Sequence, residues 1–306
     1  MNTKPLVVVR DGMQSQLFEK LKTFSHLTVT EKSQYAREDI LRLGSQIHAL
    51  VVRSATKVDR ELMDKLPQLK LVIRAGEGMD NIDLAYAQQR GIRATNTPGA
   101  NGNAAAELAV SMMMALLRHI PFVQQSMQQG KWDKKSFVGR ELTHKKVGIL
   151  GFGKIGQTVA KRLQGFDVDI LYFDPMIPAL GHYQKCASIK EVLQQSDIVS
   201  LHLPLLAETK NLLNYELISC MKKSALLVNC ARGGVIVEDD LIRALKEEII
   251  AGAGLDVFES EPLPEHSPLR SCPRLLLTPH LGASTQEAEW RVGEMVLTIL
   301  QESFGH

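Results

Sequence analysis

The sequence predicts an α/β protein built on two parallel sheets, each covered by helices on both faces. Three observations carry this reading: short continuous apolar runs, helix-like spacing after each of them, and a second series of the same kind that starts at Lys146. A strand that is apolar along its whole length is buried on both faces, which is the situation in a parallel sheet between two helix layers. A chain of 306 residues also suits two cores better than one.

In the first series Leu6–Val9, Ile47–Val52 and Leu69–Ile73 read as buried strands, with helical spacing over Glu61–Leu66. The stretch from Gly91 to Pro98 adds a short strand and a stop, because proline cannot donate to a ladder. From Ala104 to Ile120 the spacing predicts one strongly apolar helix that ends before Pro121. Apolar nearly all round, it requires cover between domains or against another subunit, and Met112, Met113 and Met114 read as packing. After a polar segment, Gln124–His144, the second series places strands at Val147–Leu150, Asp169–Phe173, Ile198–Leu201, Ala225–Asn229, Gly252–Leu255 and Leu275–Thr278. A last helix over Gln286–Ser303 returns to the first domain.

Composition narrows the function classes. Hydrophobic residues make up 44% and charged residues 23%, which excludes a disordered chain. The net charge of +2, without a basic block or zinc-finger spacing, gives no electrostatic case for nucleic acid. Four scattered cysteines, Cys186, Cys220, Cys230 and Cys272, form no CxxC pair; they fit a reduced, cytoplasmic protein and offer no metal-ligand spacing. No apolar stretch reaches the roughly eighteen residues of a membrane span, and the N-terminus reads as a first strand rather than a signal peptide.

The strongest local motif is Val147-Gly-Ile-Leu-Gly151-Phe-Gly153-Lys-Ile-Gly156, an apolar strand running into Gly-x-Gly-x-x-Gly and then a helix. Gly151 serves the tight turn, Gly153 the approach of a pyrophosphate, and Gly156 the close packing of helix on strand. Asp174 arrives eighteen residues after Gly156, at the end of the next strand. A carboxylate there accepts from the adenosine ribose and repels a 2′-phosphate, so NAD is expected as cofactor rather than NADP.

Three polar groups then follow successive strands: Arg232 after Ala225–Ala231, Glu261 after Leu255–Phe258, and His280 after Leu275–Pro279. Hydride transfer on an alcohol or keto acid needs a proton carrier, a group that tunes that carrier, and a cation for the carboxylate; His280, Glu261 and Arg232 meet these needs. Each has a plainer reading: a core histidine, a solvated loop carboxylate, a structural anion clamp. Asp174 can likewise be a turn residue. Their joint arrival at strand ends favours catalysis.

From Val7 to about Val296 the chain resembles the D-2-hydroxyacid dehydrogenases, and among them most closely the D-3-phosphoglycerate dehydrogenases. The matching segments are Val52-Arg-Ser-Ala-Thr-Lys57, Arg74-Ala-Gly-Glu-Gly-Met-Asp-Asn81, Asn96-Thr-Pro98, Gly151–Gly156, Val228-Asn-Cys-Ala-Arg-Gly-Gly234, Leu255–Phe258 with Glu261-Pro262, and Pro279-His-Leu-Gly-Ala-Ser-Thr285. The resemblance implies a Rossmann NAD-binding domain at 99–285, inserted into a flavodoxin-like substrate-binding domain made of 1–98 and the helix at 286–306. It implies that His280 is the acid–base, Glu261 its partner and Arg232 the carboxylate anchor. Lys154 and Ile155 would serve the pyrophosphate loop, with Asp174, Leu203 and Cys230 lining the nucleotide site and Asp256 near the nicotinamide carboxamide. The backbone of Ala75, Gly76, Glu77 and Gly78 would help hold the substrate carboxylate.

The implied activity is NAD-dependent oxidation of 3-phospho-D-glycerate in a homodimer. Arg53, Lys57 and Arg74 are the candidate phosphate cations, joined by Lys134 or Lys135 from a neighbouring subunit. A glyoxylate or hydroxypyruvate reductase is the enzymatic alternative, and an NAD-sensing corepressor the non-enzymatic one. Two residues depart from the pattern. Glu77 puts a charge where small or hydroxyl residues are common, and Leu203 replaces a common threonine. With the chain ending at His306, a C-terminal feedback domain is not expected.

Overall fold

In a computed structural model, which describes residues 4–31 and 37–305, the chain divides into two compact units. Unit 1 comprises residues 1–101 and 283–306, and unit 2 residues 102–282. Unit 1 begins with β1 (Leu6–Val9), α1 (Ser15–Lys22), β2 (Thr28–Glu31), α2 (Arg37–Arg42), β3 (Ile47–Val52), α3 (Arg60–Asp64), β4 (Leu71–Arg74), α4 (Leu84–Gln89) and β5 (Arg93–Asn96). Unit 2 holds α5 (Gly102–Leu117), α6 (Ile120–Gln128), β6 (Lys146–Leu150), α7 (Lys154–Leu163), β7 (Asp169–Phe173), β8 (Gln184–Lys185), α8 (Ile189–Gln195) and β9 (Ile198–Leu201). It continues through α9 (Tyr215–Ile218), β10 (Leu226–Asn229), α10 (Glu238–Lys246), β11 (Gly252–Leu255) and β12 (Leu275–Leu277). The last helix, α11 (Gln286–Phe304), belongs to unit 1.

Unit 1 is a five-stranded sheet of order β2-β1-β3-β4-β5, and unit 2 a seven-stranded sheet of order β12-β11-β10-β9-β6-β7-β8, with every pairing parallel. These are the flavodoxin-like and Rossmann orders, whose direction reverses between β1 and β3 and between β6 and β9. Each sheet is buried on both faces. In β1, Val7 and Val9 face a cluster completed by Leu17 and Leu21 of α1 and Val296, Leu297 and Leu300 of α11, while Val8 faces the other core. In β6, Val147 and Ile149 pack on one side and Leu150 on the other. This alternation within an unbroken apolar run is the reason the runs read as strands.

The long apolar helix departs from expectation in two ways. It ends at Leu117, and Pro121 lies in the first turn of a new helix rather than stopping the old one; His119, at φ 55°, makes a 60° bend between them. Proline at a helix start costs no hydrogen bond, because its missing N–H has no intrahelical acceptor there. The cover for α5 comes from its own unit: Ala106, Ala109, Met112, Met113, Leu116 and Leu117 share a core with Val147, Ile149, Val159 and Val228. Met112 and Met113 are thus core residues. Among the described residues no single helix is long and apolar enough to cross a membrane.

Candidate active site

The glycine-rich turn after β6 adopts the geometry that its residues require. Gly151 has φ 88°, and a Cβ there would sit 2.6 Å from the carbonyl oxygen of His202 at the end of β9. A Cβ on Gly156 would run into the carbonyl oxygen of Gly151. Gly153 is different: a Cβ would meet nothing within 4 Å, so the space beside it is open. Gly153 also caps α7, whose first turn carries no acidic side chain, with Lys154 exposed and Ile155 half-buried. A helix N-terminus with open backbone, no acidic residue in its first turn and one lysine fits a pyrophosphate.

Asp174 ends β7 beside this turn. Its Oδ2 accepts from Phe152 N at 2.8 Å, and its Oδ1 accepts from Met176 N and Ile177 N at 2.8 and 3.1 Å. Oδ1 is therefore fully engaged, whereas Oδ2 keeps a lone pair for a ribose hydroxyl. Leu203 and Cys230 are buried, and burial pushes the Cys230 thiol up, so this sulfur is a packing group against Met112 rather than a nucleophile.

The polar groups gather at the ends of β10, β11 and β12. Asn229 staples the turn that carries Arg232: its Nδ2 donates to Arg232 O at 2.9 Å and its Oδ1 accepts from Ala231 N at 3.0 Å. Gly233 lets that turn lie against Phe258 O, where a Cβ would have no room. Glu261 Oε2 lies 2.6 Å from His280 Nδ1, and Glu261 Oε1 accepts from Phe258 N at 3.1 Å. Burial tends to raise the Glu261 carboxyl, but the hydrogen bonds from His280 and Phe258 and the positive charges of His280 and Arg232 outweigh it and hold it below its ordinary value. With Nδ1 directed at a carboxylate, Nε2 is the ring nitrogen left to exchange a proton.

Asp256 is fully buried and organises this loop. Its Oδ1 accepts from Thr278 Oγ1 at 2.6 Å and Leu281 N at 2.7 Å, its Oδ2 from Gly282 N at 2.9 Å, and its carbonyl oxygen from His280 N at 2.8 Å. Asn229, Asp256 and Thr278 are positioning residues for Arg232 and His280. The buried asparagine and aspartate inside apolar strand ends were the available signal for two of them. Asp256 was named from the sequence only as a residue near the nicotinamide, while Asn229, Thr278 and His202, beside Gly151, were missed. The Nε2 of His202 lies 2.9 Å from Ser200 Oγ, and burial lowers its pKa to about 4.

The remaining candidates lie in unit 1. Arg53 Nη1 is 3.6 Å from Glu289 Oε1, and Lys57 is exposed. The guanidinium of Arg74 folds over Gly76, where it occupies the space of a missing Cβ. Ala75 N and Gly76 N already donate to Val52 O and Arg74 O, which leaves Glu77 N and Gly78 N without a backbone acceptor among the described residues. The charge on Glu77 is met by the backbone, since its Oε2 accepts from Gly99 N at 2.6 Å. Lys134 and Lys135 stand in an exposed turn.

The sequence model described as "D-isomer specific 2-hydroxyacid dehydrogenase, NAD binding domain" matches residues 110–282. The chain is 40% identical over 303 residues to a hydroxypyruvate reductase of Thermotoga maritima, covering 97% of both. It is 40% identical over 295 residues to a D-3-phosphoglycerate dehydrogenase of Methanocaldococcus jannaschii, covering 95% of this chain and 56% of that one. The chain spans about half the length of the curated D-3-phosphoglycerate dehydrogenases it matches. Among solved structures, an NAD-dependent formate dehydrogenase from Staphylococcus aureus in complex with NAD superimposes with a TM-score of 0.88 at 32% identity, over 99% of this chain and 96% of the other. A glycine-rich turn built for a dinucleotide, a histidine–glutamate pair on adjoining strand ends and these likenesses agree: the chain is an NAD(P)-binding oxidoreductase that belongs to the D-isomer-specific 2-hydroxyacid dehydrogenase family.

Proposed function

We propose that the protein interconverts 3-phospho-D-glycerate and 3-phosphohydroxypyruvate, with NAD as its cofactor. The reaction class rests on one observation, the 2.6 Å pairing of His280 Nδ1 with Glu261 Oε2 next to the charge of Arg232. When bound, the nicotinamide takes or returns the hydride. His280 accepts the C2 hydroxyl proton at Nε2 during oxidation and returns it during reduction. Glu261 fixes the ring through Nδ1, while Arg232 holds the C1 carboxylate in a charge-assisted pair. Asp174 favours NAD over NADP, because Oδ2 accepts from a ribose hydroxyl and repels a phosphate.

The phosphorylated substrate is supported by the relatives named D-3-phosphoglycerate dehydrogenase and by the cations of unit 1, Arg53, Lys57 and Arg74. A second reading, hydroxypyruvate reduction, is favoured by the Thermotoga relative, matched along its whole length, and by Glu289 already facing Arg53. Kinetics with phosphohydroxypyruvate, hydroxypyruvate and glyoxylate, using NADH and NADPH, decide between them. The phosphorylated acid should be preferred, and Arg53→Ala or Arg74→Ala should erase most of the preference. Loss of one such charged contact costs about 1.5–3 kcal/mol, or roughly one to two decades in kcat/KM. Equal efficiency in the wild type establishes the second reading, and a complete lack of turnover would leave a nucleotide sensor.

We also place the protein in the cytoplasm, where its four unpaired cysteines stay reduced. It pairs as a homodimer through α6 and the segment after it, where Ile120, Met127, Trp132 and Val138 are 56%, 47%, 84% and 77% exposed. Light scattering at micromolar concentration should give twice 34.0 kDa.

A further inference from the structure

Glu261 stands in a loop, residues 257–263, that leaves the seven-stranded sheet after β11 and lies wholly in unit 2. Val257 and Phe258 are buried and anchor its start, but Glu259, Ser260 and Glu261 reach solvent. Among the described residues, 257–263 make no backbone-to-backbone hydrogen bond. A segment without such bonds keeps its shape only through the side chains that reach it.

Arg270 holds the far end, where its Nη2 donates to Leu263 O at 2.8 Å. The near end is held by Glu238, whose Oε1 accepts from Glu259 N at 2.8 Å. Glu238 is the first residue of α10 and follows Arg232 by six positions. The backbone that leads to it is fixed: Asn211 N donates to Gly234 O at 2.7 Å, Leu213 N to Val235 O at 3.0 Å, and Val237 N to Leu213 O at 3.0 Å. The two segments also touch, since a Cβ on Gly233 would overlap Phe258 O. Burial pushes the Glu238 carboxyl above its ordinary value; the Glu259 N–H opposes this, and the like charges of Glu259 and Asp239 add to it. Val237 gives α10 no side-chain cap, yet the Glu238 carboxylate serves Glu259 rather than its own helix.

We propose that Glu238 is a positioning residue for Glu261: through Glu259 N it ties the loop of Glu261 to the segment that carries Arg232 and keeps the two in register. The proposal rests on the reading above, in which Glu261 orients His280. Glu261 Oε1 accepts from Phe258 N at 3.1 Å and Glu261 Oε2 meets His280 Nδ1 at 2.6 Å, so a loop freed at Glu259 disturbs both contacts together. His280 Nδ1 then loses its fixed partner, and Nε2 is no longer held where it exchanges the C2 proton. The turn of Arg232 is stapled separately by Asn229, so the chemical step suffers more than the binding of the substrate carboxylate.

The test compares wild type with Glu238→Ala, Glu238→Gln, Glu261→Gln and the double variant Glu238→Ala/Glu261→Gln, in the reduction of hydroxypyruvate and phosphohydroxypyruvate by NADH. Glu238→Ala should lower kcat about three- to tenfold, with KM for the keto acid and the dissociation constant of NADH held within about twofold. Glu238→Gln keeps an acceptor oxygen for Glu259 N and should recover most of kcat. In the Glu261→Gln background, Glu238→Ala should cost no further kcat, whereas its effect on melting temperature should persist. Hydrogen exchange of the peptide spanning 257–263, read by mass spectrometry, should accelerate in Glu238→Ala and not in Glu238→Gln, a comparison that needs no turnover. Unchanged kcat or unchanged exchange in Glu238→Ala overturns the proposal, as does a Glu238→Gln enzyme as slow as Glu238→Ala, or an equal loss of kcat in both backgrounds. Glu261→Gln alone reads the assignment of Glu261, so failure of that assignment shows in the single variant and failure of the Glu238 proposal shows in the cycle.

Discussion

His280 holds its backbone at φ 54°, a left-handed conformation that costs a residue with a Cβ about 1 kcal/mol. The three hydrogen bonds collected by the Asp256 carboxylate offset that cost and aim the ring at Glu261. Glu261→Gln keeps the shape of the pair and removes its charge, so kcat should fall about ten- to a hundredfold with a much smaller change in KM. Steady-state kinetics check this, and an unaltered kcat would leave Glu261 a structural role only. Because Glu261 is held below its ordinary value of 4.5, the stability its carboxylate contributes through this shift is complete above that pH and fades only as pH falls through the lower folded value. His202 acts in a different window. Its folded pKa of about 4 lies below the ordinary 6.5, so the unfolded chain binds a proton first and stability declines as pH drops from 6.5 toward 4. Melting curves between pH 7 and 4.5 should show that decline, and His202→Gln should flatten it.

The turn between β6 and α7 works as one piece, since Gly151 must clear His202 and Gly156 must clear Gly151. Gly156→Ala should therefore push α7 away from β6 and weaken NADH binding by tenfold or more, with a lower melting temperature; fluorescence titration measures the affinity. An unchanged dissociation constant would show that the contact yields cheaply. The inner strands were legible because each is mostly apolar, and β1, β3, β7, β9 and β11 begin and end where the sequence reading placed them. Two of the four edge strands, β5 and β12, were legible as well, but β2 and β8 were not. Thr28–Glu31 is polar and partly exposed and Gln184–Lys185 is only two exposed residues, since an edge has one neighbour and need not be apolar. Pro121 was misread because proline both ends and starts helices, and the left-handed turn at His119 leaves no trace in composition. At the candidate site, the pairing of His280 with Glu261 followed from their positions after strands. The service of Asp256 to a loop some 25 residues away did not, because hydrogen bonds of that span leave no local pattern.

Unit 1 is completed by the far end of the chain. Val296, Leu297 and Leu300 of α11 lie in the same core as Leu17 and Leu21. At about 1.5–3 kcal/mol for each buried aliphatic side chain, the three residues contribute roughly 5–9 kcal/mol, as much as the whole stability of many domains. Removal of residues 286–306 should leave unit 1 unable to fold cooperatively; a fall in soluble yield and the loss of a calorimetric transition present in the full chain would show it, whereas a melt unchanged from the full chain's would not fit. The same connectivity sets an order of events on the ribosome. Residues 1–101 emerge first, yet their sheet lacks one apolar cover until roughly 180 further residues have been made, a wait of about 10–40 s at ordinary elongation rates. Unit 2 is continuous in sequence and can fold during that interval. Residues 1–101 are thus made before unit 2 and completed only after it, and a nascent chain stalled within unit 2 presents the uncovered apolar face of the first sheet to chaperones and proteases.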